Sequence, residues 1–228
     1  MEHILYEDTH ILALHKPAGI AVQTKRFSEQ DLISILKNYR ILQKEVPYIS
    51  VINRLDQPVE GLVLFAKTKD AAANLSMQLK KNQIEKYYRA VVYQPKSKRL
   101  SVGESQTLTD YLIKDGRTNV SRVANEKDKE AKKAVLQYTV QKANAEFAEL
   151  CIRLDTGRHH QIRVQMSNAD MPLAGDCKYG TKKSDVSSIN SKNIALCSSK
   201  LIFLHPKNHK KIKLETQPEN PIFQLMYE

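Results

Sequence analysis

The chain has no apolar run near the roughly 18 residues that a membrane-spanning helix requires. Its longest clean stretch, GLVLFA, ends at residue 66. The opening MEHILYEDTH carries no basic segment followed by an apolar one, which excludes a secretory signal at this end. Cysteine is scarce. Cys151, Cys177 and Cys197 are odd in number, far apart and without CxxC spacing. That argues against a disulfide framework or a zinc site and points to reduced thiols in the cytoplasm. The seven glycines form no phosphate-cradling loop, and no segment repeats itself.

Positive charge is abundant instead. The 228 residues carry a formal net charge of +11, with a pI near 9.4. Part of the excess is local: Lys192, Lys200, Lys207, Lys210, Lys211 and Lys213 fall in one stretch that holds no acidic residue. A solvated surface accounts for such a run, and so does a polyanionic partner; the size of the excess favours nucleic acid.

The hydrophobic pattern predicts many strands and few helices. HILYEDTHILALHKPAG reads as two short strands closed by a turn at Lys16–Gly19. Ser28 and Asp31 mark the start of a helix that runs to about Lys44, with Leu32, Leu36 and Tyr39 at helical spacing. LVLFAK is apolar on both faces, as a central strand would be. Thr68 caps a second helix over about 69–82. KYYRAVVY alternates, placing Tyr88, Ala90 and Val92 on one face. Residues 94–107 and 114–133 are polar and aperiodic, and read as loops. AVLQYTVQ and FAELCIRL form a hairpin, a helix is expected from Arg158, and 181–193 read as a loop. Late strands follow in IALCSSKLIFLHP and KKIKLET. With no regular strand–helix alternation, the expected fold is α+β, a mixed or antiparallel central sheet with flanking helices and loops.

Three segments carry candidate chemistry. In INRLDQPVEG, Asp56 precedes a proline turn at the entrance to the central strand, where Pro58 stiffens the chain and Gly61 permits close backbone approach. A carboxylate there, held ionised by a guanidinium, is a sound nucleophile or base. A structural turn aspartate paired with Arg54 is the alternative. In LDTGRHHQIRVQ, Arg158, His159 and Arg163 bracket one side of the expected helix and suit a carboxylate or RNA phosphates. The adjacent histidines are expected to point apart, and no third ligand stands at a telling spacing, so no metal is expected. In PLAGDCKYG, the glycines and Asp176 should shape a tight loop on which Tyr179 packs or stacks.

Taken in order, RLD-x-x-x-x-GLVLFAK, K-x-Y-x-A-x-V, L-x-TGR-x-HQIRV and PL-x-GD-x-x-YG closely resemble the RluA-type family of pseudouridine synthases. The likeness runs from about residue 3 to 215, with YEDTHILALHKPAGIAV and LIFLHP matching the family's first and late strands. It implies an enzyme that detaches uracil from a uridine in tRNA or rRNA and rejoins it through C5, with no cofactor or metal. Asp56 would be the catalytic residue, Arg163 its partner, and Tyr88 would lie against the uracil. Arg54 would contact RNA near the extruded nucleotide; Arg158, His160 and Gln161, with Lys210 and Lys211 in the basic tail, are further candidates for RNA contact. Whether Asp56 attacks the sugar, attacks the base or removes a proton stays open. Some residues depart from the family pattern: histidine is commoner at Asn53, Thr-Ser at Val59-Glu60, threonine at His159 and histidine at Gln165. These bear on RNA contacts and so on target choice. Because the chain begins almost at the family's first strand, a single catalytic domain over 1–228 without an amino-terminal S4-like module is expected; a monomer is the default for this length, and the reduced cysteines suit the cytoplasm. Two rivals are a catalytically inactive RNA-binding or ribosome-assembly protein on the same scaffold, and a metal nuclease using Asp56, Asp155 and Asp176.

Overall fold

A computed structural model describes residues 3–24, 29–95, 97, 99–180 and 194–227. They group into two compact units, one of Met1–Glu85 with Cys197–Pro218 and one of Lys86–Leu196 with Glu219–Glu228. No helix among the described residues is long and apolar enough to cross a membrane.

The first unit opens with β1 (Ile4–Glu7) and β2 (Ile11–Lys16), an antiparallel pair. Asp8 makes their turn by accepting the backbone N–H groups of His10 and Ile11 at 2.7 and 2.9 Å, the local bond that places aspartate in turns. Helix α1 (Leu32–Leu42) starts at Asp31, whose carboxylate accepts the N–H of Ser34. Ser28, expected to help mark that start, lies outside the described residues. The helix stops at Leu42 because Lys44 takes a positive φ of 59°. A two-residue strand, β3 (Ser50–Val51), precedes β4 (Glu60–Ala66). Helix α2 (Lys69–Lys80) is capped by Thr68, as expected, and ends two residues early, before Asn82 at φ 53°. Caps of this kind contribute about 1 kcal/mol each.

All seven residues of β4 are buried. The reason is its position. It pairs antiparallel with β2 along its length and with β3 at its far end, and parallel with β10 (Leu196–Leu204) at Cys197 and Ser198. β11 (Lys211–Glu215) pairs antiparallel with β10. Gly61 sits at the parallel contact with φ 112°, and a Cβ there would overlap the backbone N and O of Ser198. Only glycine fits both constraints. Ile11, Leu62, Leu64, Leu75, Leu201 and Phe203 form the core of this unit, each contributing about 1.5–3 kcal/mol by leaving water.

The second unit is an antiparallel sheet of β5 (Glu85–Tyr93), β6 (Ser105–Asp115), β7 (Val120–Ala124), β8 (Lys132–Ala143) and β9 (Phe147–Leu154), in spatial order β5-β9-β8-β6-β7. The β8–β9 hairpin forms as expected. β6 and β7 correct the loop assignment: much of 105–124 is a hairpin paired along β8. Most β6 residues are exposed or half-buried, so no apolar alternation announced the strand. Helix α3 (Gln161–Asn168) and a final 3₁₀ turn (Pro221–Met226) complete the unit. α3 begins three residues later than expected because His160 adopts φ 53°, outside the helical region. The expected loop at 181–193 lies outside the described residues.

Candidate active site

Asp56 is half-buried in the segment that joins β3 to β4. Side chains and backbone pin that segment on both sides of it. Upstream, the Asn53 amide donates to Leu62 O at 3.0 Å and accepts from Leu64 N at 2.8 Å, binding the loop to β4 like an extra strand residue. Leu55 is buried in the unit's interior. Downstream, Val59 N–H closes the proline turn on Asp56 O at 3.0 Å. That turn is latched to the one after β2: Gly19 N donates to Gln57 O at 2.8 Å, and the Gln57 amide donates to Gly19 O at 3.0 Å.

Beneath the latch lies Lys16, with 0% of its surface exposed. Its ammonium donates to Pro17 O, Ile20 O and Gln57 O at 2.9, 2.9 and 3.1 Å. Burial pushes its pKa down to about 8, against the opposing pull of the Asp56 and Glu60 carboxylates. One cation therefore holds the Asp56 loop and sets the field around its carboxylate. Lys16 was not among the sequence candidates; a lysine closing an otherwise apolar strand just before a Pro-Ala-Gly turn was the available signal. Arg54 is exposed and, with Val22, Thr24, Leu55 and Gln57, lines a cleft of about 300 Å³.

The remaining motif residues belong to the second unit. On α3, Arg163 is 5% exposed and forks onto Asp176, itself 5% exposed, with Nε and Nη2 each 2.8 Å from a carboxylate oxygen. Asp176 also accepts the N–H groups of Lys178 and Tyr179, so it folds the PLAGDCKYG loop around the guanidinium. The Tyr179 ring lies 5.0 Å from Arg163 Cζ, a cation–π contact. Gly180 is required here, because a Cβ would strike Asp176 O. A paired, hydrogen-bonded Asp176 makes a poor ligand for the carboxylate metal cage of the nuclease alternative, and Asp155 accepts from Arg153 at 2.9 Å.

Gln161, expected to meet RNA, is instead buried. Its amide donates to Val135 O and Gln165 Oε1 and accepts from Thr156 Oγ1 and Arg158 N, so it ties the loop before α3 to β8. His160 is 9% exposed and bonded through Nδ1 to the Tyr179 hydroxyl at 2.7 Å. The two histidines do not diverge: their rings stack with centroids 3.7 Å apart, because the positive φ at His160 turns the chain back. Arg158 is exposed, its Nε donating to Lys133 O.

Tyr88 lies buried in β5, opposite Ile152 of β9. Two residues earlier on the same face, Lys86 is also buried; burial lowers its pKa, opposed by Asp155. Its Nζ lies 3.7 Å from where a Cβ on Gly157 would stand, so the K-x-Y strand and the TGR loop meet at this cation. Lys210 and Lys211 are exposed. The basic run is less bare than its composition suggests, since Lys200 and Lys213 both pair with Glu215 at 3.0 and 2.9 Å. Lys192 lies outside the described residues.

The chain has relatives among known proteins. A family model described as RNA pseudouridylate synthase matches residues 10–168. The ribosomal large subunit pseudouridine synthase C of Buchnera aphidicola subsp. Baizongia pistaciae is 30% identical over 226 residues, covering 98% of this chain and 69% of that protein. Its counterpart of the same name in Vibrio cholerae is 27% identical, covering 99% and 69%. Among solved structures, human RNA pseudouridylate synthase domain containing 4 superposes with a TM-score of 0.78 at 20% identity, over 98% of this chain and 91% of that one. At that identity the likeness is one of fold.

Proposed function

This chain belongs to the RNA pseudouridylate synthase family, and on that premise we propose that it isomerises uridine in ribosomal RNA, with Asp56 as the essential carboxylate. The net reaction breaks the C1′–N1 bond and makes a C1′–C5 bond; the C5 hydrogen leaves to solvent and N1 gains a proton. Atoms and electrons balance without a cofactor. The observation that carries the assignment is the mounting of Asp56, a half-buried carboxylate on a loop latched at Gly19 and Gln57 over a buried cation. A carboxylate placed so firmly is preorganised for chemistry at one point.

Other residues take roles around it. A uridine stacked in RNA cannot reach the carboxylate, so the base must be flipped out, at a cost of a few kcal/mol. Tyr88 offers the displaced uracil a flat surface, worth about 1–3 kcal/mol of stacking. The Asp176 fork engages Nε and Nη2 of Arg163, and the family resemblance gives this guanidinium the role of partner to the essential carboxylate. Arg54 and Arg158, both exposed, would grip phosphates. The choice of ribosomal RNA follows the names of the relatives. The test is release of tritium from C5-labelled RNA in EDTA, with ribosomal RNA and tRNA supplied separately. Release from ribosomal RNA alone is expected. Release from tRNA alone would move the target, strand scission or dependence on metal would support a nuclease, and no release from either would support an inactive RNA-binding scaffold.

Lys16 gives the activity a pH signature. Its ammonium is present below about pH 8 and lost above it, so kcat/KM should fall as pH rises through 8. The Lys16→Met variant should run at the lower level throughout, without that inflection. Stability should move the other way. Between about 8 and the ordinary lysine value of 10.5 the unfolded chain binds the proton and the folded chain does not, so this group's contribution to stability rises over that window. Identical pH–rate profiles for the two proteins would remove Lys16 from the site.

The exposed lysines make a separate prediction. If Lys210 and Lys211 bind phosphates, changing both to glutamine should flatten the plot of log binding constant against log salt by about 0.7–0.9 for each phosphate no longer neutralised. An unchanged slope would show that this turn does not touch RNA.

A further inference from the structure

The second unit contains a cleft in which only Arg158 has so far been given a role. It has a volume of about 480 Å³ and lies where β6, the start of β8 and the loop before α3 converge. Leu112 and Ile113 give it apolar wall, and Lys114, Lys132 and Arg158 give it three cations against the single carboxylate of Glu130. The imidazole of His159 also lines it.

That imidazole is unusually well mounted. Its Nδ1 is 2.8 Å from Ser121 Oγ on β7, and its ring stacks on His160 at 3.7 Å. His160 is held from behind by the Tyr179 hydroxyl, which also accepts the Ser121 N–H at 2.8 Å, and the Tyr179 ring meets His160 edge-on. A pair of flat rings is thus fixed by hydrogen bonds to two other elements, with one member facing a cleft rimmed by cations. Ring surface of this kind favours a heteroaromatic base, and the cations favour a phosphate. A site for phosphate alone would use neither the apolar wall nor a volume of about 480 Å³. Because the rings are already fixed, little side-chain freedom is lost when a base adds to the stack.

We propose that this cleft binds one unpaired nucleotide of the RNA substrate, outside the reacting uridine, with its base on His159 and its phosphate among Lys114, Lys132 and Arg158. The proposal rests on the RNA reading above and adds to it a subsite outside the reacting uridine.

Mononucleotides test it on the whole chain. AMP is the probe, because the reacting site takes uracil, and ribose 5-phosphate is the control with the same phosphate and no base. Titrations followed by the histidine imidazole resonances should show AMP shifting those of His159 and His160 and binding at least about fivefold tighter than ribose 5-phosphate. His159→Ala should weaken AMP by about 5- to 100-fold and leave ribose 5-phosphate unchanged, whereas His159→Phe, which keeps a ring, should retain the preference. Lys132→Gln should weaken both ligands alike. Equal binding of AMP and ribose 5-phosphate by the unaltered protein, or AMP affinity indifferent to His159→Ala, would overturn the proposal. The first comparison needs no variant and decides the matter even if His159→Ala fails to fold. The two readings fail separately: AMP bound at His159 with no tritium released from any RNA would sink the isomerase and leave the subsite, and tritium release without AMP binding would do the reverse.

Discussion

Changing Asp56 to asparagine is expected to stop release of tritium from C5-labelled RNA, lowering the rate at least about 10³-fold, while leaving the fold and RNA binding nearly intact. The substitution preserves shape and removes the negative charge together with the oxygen that would act as base or nucleophile. Losses of roughly 10²–10⁴ are usual for a general base alone. The fold should survive because many of the bonds that hold the loop run through other groups: the Asn53 amide on β4, the Gln57–Gly19 pair, the Lys16 ammonium and the backbone carbonyl of residue 56 itself. Lys16 would feel the change, since the Asp56 carboxylate is the larger of the two charges supporting its proton; its pKa should drop further in the variant. RNA affinity within a few-fold of the parent, with activity gone, would identify Asp56 as chemical. Activity within tenfold of the parent would remove it from the mechanism and leave Asp56 as a turn residue.

How much of this was legible beforehand depends on what each residue does. β4 and its glycine were readable because a strand buried on both faces must be continuously apolar, and a backbone approach like that at Ser198 excludes every side chain. Helices α1 and α2 were readable from their caps, Asp31 and Thr68. β6 was not, because a strand with both faces largely wet carries no apolar period and its pairing comes from β8. The candidate site divides the same way. Motif order pointed to Asp56, Tyr88 and Arg163, residues whose chemistry is visible in their type. The supports were hidden, because support is a matter of geometry. Nothing local says that Lys16 will end in three carbonyls or that Gln161 will turn inward to knit a loop. The histidine pair misled most, since ordinary strand or helix geometry separates neighbouring side chains and only the left-handed turn at His160 brings these two together.

Asp176 supplies the second large effect, this time on stability. Asp176→Ala should destabilise the second unit by about 3–5 kcal/mol, the usual result when one member of a buried ion pair is removed and the other stays charged. Arg163 cannot escape by losing its proton, and at 5% exposure it has little access to water. The Lys178 and Tyr179 N–H groups would lose their acceptor as well, loosening the loop that carries Tyr179 and with it the support behind His160. Asp176→Asn should fall between alanine and the parent, because an amide keeps one oxygen for the guanidinium and turns an N–H toward the other donor. The informative comparison is the double variant Arg163→Met with Asp176→Leu. With both charges gone and the volume filled, it should be more stable than Asp176→Ala alone, because no unpaired buried charge is left, yet as inactive as Arg163→Met. Urea denaturation of the four proteins, beside their tritium release, separates the two duties of the pair. A double variant no more stable than Asp176→Ala would mean that the loop, rather than the buried charge, dominates the cost, and the fork would then be reassigned from an electrostatic anchor to a packing one.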